Sequence, residues 1–143
     1  MVLSHMFDNP RQTYKMYGAT DLTMIEPIEN RRELAKEFGA DYCIDPIHED
    51  VRKRAAEITD GRGFDVVLDC SGSVYAVEPL PDIAANGGTL IYGAQYPNDY
   101  NMPFNISKYC YFKKLTITGV FVTLMIWKLS RGSSKVPRRK MHL

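Results

Sequence analysis

Residues 22–46 read LTMIEPIENRRELAKEFGADYCIDP. Leu22–Glu26 is a short apolar run closed by an acid, the pattern of a buried strand. Asn30–Phe38 places Leu34, Ala35 and Phe38 on one helical face, and Gly39 supplies a helix stop. Tyr42–Ile44 is a second brief strand, and Asp45-Pro46 ends it. Strand, helix and strand thus follow one another within 25 residues. The same alternation continues downstream. Glu49–Ile58 reads as a helix with Val51, Ala55 and Ile58 inward, and Asp60-Gly61-Arg62-Gly63 as a turn. Phe64–Asp69 is a nearly continuous apolar run, which predicts a strand buried on both faces. A third helix is expected near Val74–Ala85. Pro79 and Pro81 lie inside it, and an interior proline costs about 3 kcal/mol, so this helix should start late or kink. Asn86-Gly87-Gly88 is expected to turn into a strand at Thr89–Tyr92, and Leu115–Val122 reads as the last strand. Upstream, Asn9-Pro10 marks a turn, and Tyr14–Tyr17 reads as a helix end stopped by Gly18. The order predicts an α/β fold, an incomplete doubly wound parallel sheet of Rossmann type. Right-handed crossovers would gather the strand C-terminal ends on one edge, where such folds bind ligands.

Composition narrows the classes of function. The chain has 143 residues, 45% of them hydrophobic, which suits one packed domain. The net charge of +1 gives no general case for nucleic acid. Residues 128–143 carry six basic side chains and no acid, which leaves about −5 on the remainder. This stretch is expected to be a solvated, loose tail. Cys43, Cys70 and Cys110 form no C-x-x-C pair, and this usage suits a reducing cytosol. The start MVLSHMFDNP lacks the basic and apolar regions of a signal peptide. The apolar run 115–127 is shorter than the roughly 17–25 residues of a membrane span, so no membrane partner is expected.

Glu26 is the most informative residue. An acid at this strand end can accept hydrogen bonds from both hydroxyls of an adenosine ribose and would repel a 2′-phosphate, which favours NAD over NADP. The alternative is an acid placed beside a helix N-terminus for its dipole. Arg31 could pair with a phosphate or stack on adenine. A G-x-G-x-x-G turn about 20 residues upstream normally accompanies such an acid. Gly18 is the only glycine before Glu26, so that turn is absent from this sequence. NAD affinity is therefore expected to be weak or absent.

Four blocks now combine: EPIENRRELAKEFGADYCIDP, ITDGRGFDVVLDCSGS, NGGTLIYGAQYP and FKKLTITGVF, at 26–46, 58–73, 86–97 and 112–121. In this order they resemble the cofactor domain of medium-chain zinc-containing alcohol and polyol dehydrogenases, the threonine and sorbitol dehydrogenase branch. The resemblance covers roughly residues 17–121. It implies hydride transfer between a secondary alcohol and NAD. It implies that Glu26 binds the ribose and that Arg31 lies beside the adenosine. Cys70, Ser71 and Gly72 would pass close to the cofactor, with Gly93 and Ala94 on its nicotinamide side. Thr118, Gly119 and Val120 would hold the nicotinamide amide. The family's catalytic zinc is carried by another domain; no zinc ligands and no catalytic residue are expected here, so the chain alone is expected to be inactive. His48 is expected at the surface. Residues 1–17 would be an atypical segment in place of the phosphate-binding unit, 18–123 a partial dinucleotide-binding domain and 124–143 the basic tail. The strand Leu115–Val122 resembles one that pairs across the family's dimer, so association of copies is expected. A non-catalytic interaction module is the alternative.

Overall fold

The computed structural model describes residues 18–120. The expectations for residues 1–17, for Phe121 and Val122 and for the basic tail lie outside this range. The elements alternate as predicted. Strand β1 (Thr23–Ile25) leads to helix α1 (Glu29–Glu37), β2 (Tyr42–Ile44) and α2 (Val51–Ile58). Then come β3 (Phe64–Asp69), two short helices α3 (Val74–Val77) and α4 (Leu80–Ile83), and β4 (Ala84–Tyr92). A π-helix at Ser107–Phe112 precedes β5 (Thr116–Gly119). Every strand pairing is parallel.

These strands form two sheets, β1-β2 and β3-β4-β5. The doubly wound order 3-2-1-4-5-6 explains the break. If the strand ending at Glu26 is the second of that order, β1-β2 is the 2-3 pair and β3-β4-β5 is the 4-5-6 triplet. The first strand would lie between them, and among the described residues none does.

Local chemistry sets the element ends. Asp50 caps α2 by accepting from the amides of Arg52 and Lys53 at 2.8 and 3.0 Å, so this helix begins at Val51 rather than Glu49. Gly39 follows α1 with φ near +92°. Pro79 and Pro81 split the third helix into α3 and α4. The strand after it starts earlier than the sequence suggested. Asn86-Gly87-Gly88 lies inside β4 as an irregularity, where the register moves from Phe64↔Ala84 to Val66↔Thr89. The π-helix was not anticipated.

The core gathers on the three-stranded sheet. Ala55, Val67, Val77, Leu80, Ile83, Ala84, Leu90, Tyr109 and Leu115 form one buried cluster. Asp82 braces its rim. Its carboxylate accepts from Arg52 Nε at 2.8 Å, Lys108 Nζ at 2.6 Å and Tyr109 OH at 2.9 Å. Burial opposes its charge, but these three donors hold its pKa at about 2. Two burial expectations fail. Leu34 and Phe38 are 47% and 39% exposed, leaving Ala35 as the buried residue of α1. Val66 is 43% exposed, so β3 is not covered on both faces. Among the described residues, α1 lies on the three-residue strands β1 and β2, which offer little apolar surface to cover Leu34 and Phe38.

Candidate functional site

The register of the larger sheet aligns three strand ends. Asp69, Tyr92 and Gly119 stand in one row, and the next residues are Cys70, Gly93 and Val120. Gly93 N donates to Asp69 O at 2.8 Å and Val120 N to Tyr92 O at 2.9 Å, extending the ladder past the strands. Cys70, Ser71, Gly72, Gly93, Ala94, Thr118, Gly119 and Val120 therefore share one sheet edge. Gly72 has φ near +67°, and a Cβ on it would sit 2.7 Å from Gln95 O. Only glycine lets the turn after β3 lie this close to the loop after β4. Cys70 is half-buried, and burial, then the neighbouring Asp69 charge, pushes its thiol pKa up. That environment disfavours a reactive thiolate.

Glu26 and Arg31 belong to the smaller sheet. Glu26 N donates to Ile44 O at 3.1 Å, and the residue is 4% exposed. Its Oε1 accepts from Ile28 N at 3.0 Å and lies 3.8 Å from Arg31 NH1. Thus the carboxylate stands both at a strand end and beside the start of α1, and the dipole explanation has a geometric basis too. No described hydrogen bond or ion pair joins Glu26 or Arg31 to the edge of the larger sheet.

Several residues at these edges escaped the sequence. Arg32 donates to Glu26 O and Pro27 O at 2.9 and 2.8 Å and pairs with Asp45 at 2.9 Å. It fastens the turn after Glu26 to the end of β2. Asp45 also meets His48 Nδ1 at 2.9 Å and accepts from Ile47 N. The His48 bond, then the Ile47 amide, lowers its pKa. His48 itself is exposed, as expected. Asp69 is fully buried, and it accepts from Ser71 N, Ser71 Oγ and the Tyr96 hydroxyl. Asp69 carried a signal, an acid ending an apolar strand like Glu26. Arg32 and Tyr96 carried none.

Among the described residues no group of three or more His, Cys, Asp and Glu stands together to hold a metal ion. No helix there is long and apolar enough to cross a membrane.

The sequence profile described as zinc-binding dehydrogenase matches residues 11–131. L-threonine 3-dehydrogenase of Pyrococcus horikoshii is 42% identical over 106 residues, covering 74% of this chain and 30% of that enzyme. D-guloside 3-dehydrogenase of Escherichia coli is 32% identical over 106 residues, with the same shares. Among solved structures, a zinc-binding dehydrogenase from Sinorhizobium meliloti bound to NADP matches with a TM-score of 0.70 and 28% identity. That match covers 77% of this chain and 32% of the other. The chain thus spans about 30% of the length of the curated relatives it matches.

Proposed function

This chain belongs to the zinc-binding dehydrogenase family, and from that membership we propose that residues 18–123 act as a partial dinucleotide-binding unit that takes NAD weakly. The observation that carries this reading is Glu26, a buried carboxylate at a strand C-terminal end whose described contacts all fall on Oε1. In a doubly wound fold, an acid at this strand end accepts hydrogen bonds from the adenosine ribose hydroxyls. A 2′-phosphate at the same place would meet a like charge, which favours NAD. The NADP in the Sinorhizobium relative makes this preference a point to test. Arg31, whose side chain is 44% exposed, can reach the adenosine side. Gly72 and Gly93 let the turn after β3 and the loop after β4 close up against each other at this edge, and the Thr118–Val120 backbone would receive the nicotinamide amide. NAD supplies hydride acceptance when bound; the protein's part is orientation.

Hydride transfer between a secondary alcohol and NAD is the reaction to which this unit would contribute within a longer protein. The described residues offer neither zinc ligands nor a glycine-rich pyrophosphate turn. Alone, the chain should bind NAD with a Kd of roughly 1 mM, about −4 kcal/mol, and should not turn over a polyol. Calorimetry with NAD and NADP tests this: NAD should bind and NADP should not, and Glu26→Ala should abolish the NAD signal. Micromolar binding that survives Glu26→Ala would overturn the role of Glu26.

A second reading rests on β5. All four of its residues are exposed, and Ile117 and Val120 are 40% and 54% exposed. Within the described residues β5 has a strand partner on one side only. Such an edge invites strand pairing between copies. Sedimentation should then show a dimer that Ile117→Lys dissociates; a monomer at all concentrations would remove this reading.

A further inference from the structure

Asp69 is completely buried at the end of β3, and no basic side chain is described against its carboxylate. A buried carboxylate is unfavourable unless donors compensate its lost hydration. Here three donors do so, and they come from two different loops. Oδ1 accepts from Ser71 N at 3.1 Å and Ser71 Oγ at 2.7 Å, both in the turn after β3. Oδ2 accepts from the Tyr96 hydroxyl, in the loop after β4. The backbone of the same residue adds a third tie, since Asp69 O accepts from Gly93 N at 2.8 Å. The two loops are also in near contact, for Gly72 has no room for a Cβ beside Gln95 O.

The Tyr96 ring extends this tie. It stacks on Tyr100 at 6.3 Å between centroids and meets Tyr92 edge-on at 6.5 Å. Tyr100 in turn reaches Val74 O at 3.4 Å, at the start of α3. The loop after β4 is thereby stitched back over the end of β3.

We propose that Asp69 is the positioning residue of the candidate cofactor edge, its carboxylate locking the 70–72 turn and the 93–96 loop into one rigid ledge. The locking itself follows from the geometry. Its consequence for NAD rests on the function proposed above. In physical terms, loops free to move apart must be ordered before a cofactor can lie along them, and that ordering weakens binding.

Amide hydrogen exchange on the intact chain separates the two claims. In Asp69→Leu, which fills the space without accepting hydrogen bonds, exchange at Ser71, Gly72 and residues 94–96 should quicken about tenfold or more. Exchange at Leu90 should change far less. Asp69→Asn keeps one acceptor oxygen and should restore most of the protection at Ser71. Tyr96→Phe removes a single donor, so only residues 94–96 should loosen; this variant carries the test if Asp69→Leu does not fold. Unchanged exchange at 94–96 in Tyr96→Phe would overturn the lock, as would loosening of Leu90 to the same extent as the two loops in Asp69→Leu. Calorimetry on the same proteins then addresses the cofactor. Loosened loops with NAD affinity reduced about tenfold support both claims. Loosened loops with unaltered NAD affinity overturn the cofactor consequence. Loosened loops in a chain that never binds NAD leave the lock standing and defeat the proposed function instead.

Discussion

The two sheets of this protein are built on different principles. The larger, β3-β4-β5, lies against a cluster of nine buried apolar or aromatic side chains. The smaller, β1-β2, buries Leu22, Ala35 and Ile44 and, beside them, the polar Thr23, Glu26 and Asp45. Its strands are three residues long, and hydrogen bonds donated by Arg32 and accepted by the Asp41 carboxylate from Leu22 N organise its ends. The larger sheet is held by packing, and the smaller by polar ties over little apolar area. The seam between them falls where the doubly wound order places its first strand. Among the described residues each half keeps its own parallel pairing, and no strand joins the two.

Mutations should expose this contrast. The largest effect belongs to the packed half: Leu90→Ala should destabilise by about 2–5 kcal/mol in denaturant unfolding, because Leu90 is 1% exposed. Leu34→Ala, on the exposed face of α1, should cost less than about 1 kcal/mol by the same assay. Equal losses would mean that the two halves share one core. Next comes Gly63→Ala. Gly63 has φ near +84°, and its Cβ would lie 2.8 Å from the Ala84–Ala85 backbone, so roughly 2–3 kcal/mol should be lost. Gly61→Ala, with φ near +77° and open space around it, should lose about 1 kcal/mol from strain alone.

In the smaller sheet, Arg32→Met should destabilise by about 1–3 kcal/mol, since Asp45 and two carbonyls lose a largely buried donor. Quicker exchange confined to residues 22–46 would show that this half opens by itself; loosening across β3-β4-β5 would join the halves into one cooperative unit. The smallest effect is on pH. Asp82 titrates at about 2 in the folded chain against an ordinary 3.8. Its stabilising contribution is complete above the ordinary value and is lost as pH falls through the folded one. Asp82→Asn should therefore flatten the acid limb of stability between about pH 4 and pH 2.

Much of this architecture was legible beforehand because it is written in local periodicity. Asn30–Phe38 followed by Gly39 could hardly be other than a helix and its stop, and the β-α-β alternation fixed a parallel sheet. The strand ends that carry Cys70, Gly93 and Gly119 were predicted from the same pattern, and the register aligns them. What local pattern cannot report is which face finds a neighbour. Leu34, Phe38 and Val66 are apolar enough for a core, yet each is more than a third exposed in the fold. Gly87 and Gly88, which suggest a turn by composition, lie within β4 as an unpaired irregularity between the Phe64↔Ala84 and Val66↔Thr89 pairs. Tyr96 illustrates the remaining limit. Its hydrogen bond to Asp69 spans 27 positions of sequence, and nothing around either residue announces the other.

In the proposed function, the edges of both sheets serve one NAD molecule despite the seam between them. An amide chemical-shift titration of the isotopically labelled chain with NAD tests it directly. Glu26–Arg31, Cys70–Gly72, Gly93–Ala94 and Thr118–Val120 should all shift along one millimolar binding curve, and NADP should leave Glu26–Arg31 unmoved. Shifts confined to one sheet, or two unrelated curves, would contradict the claim.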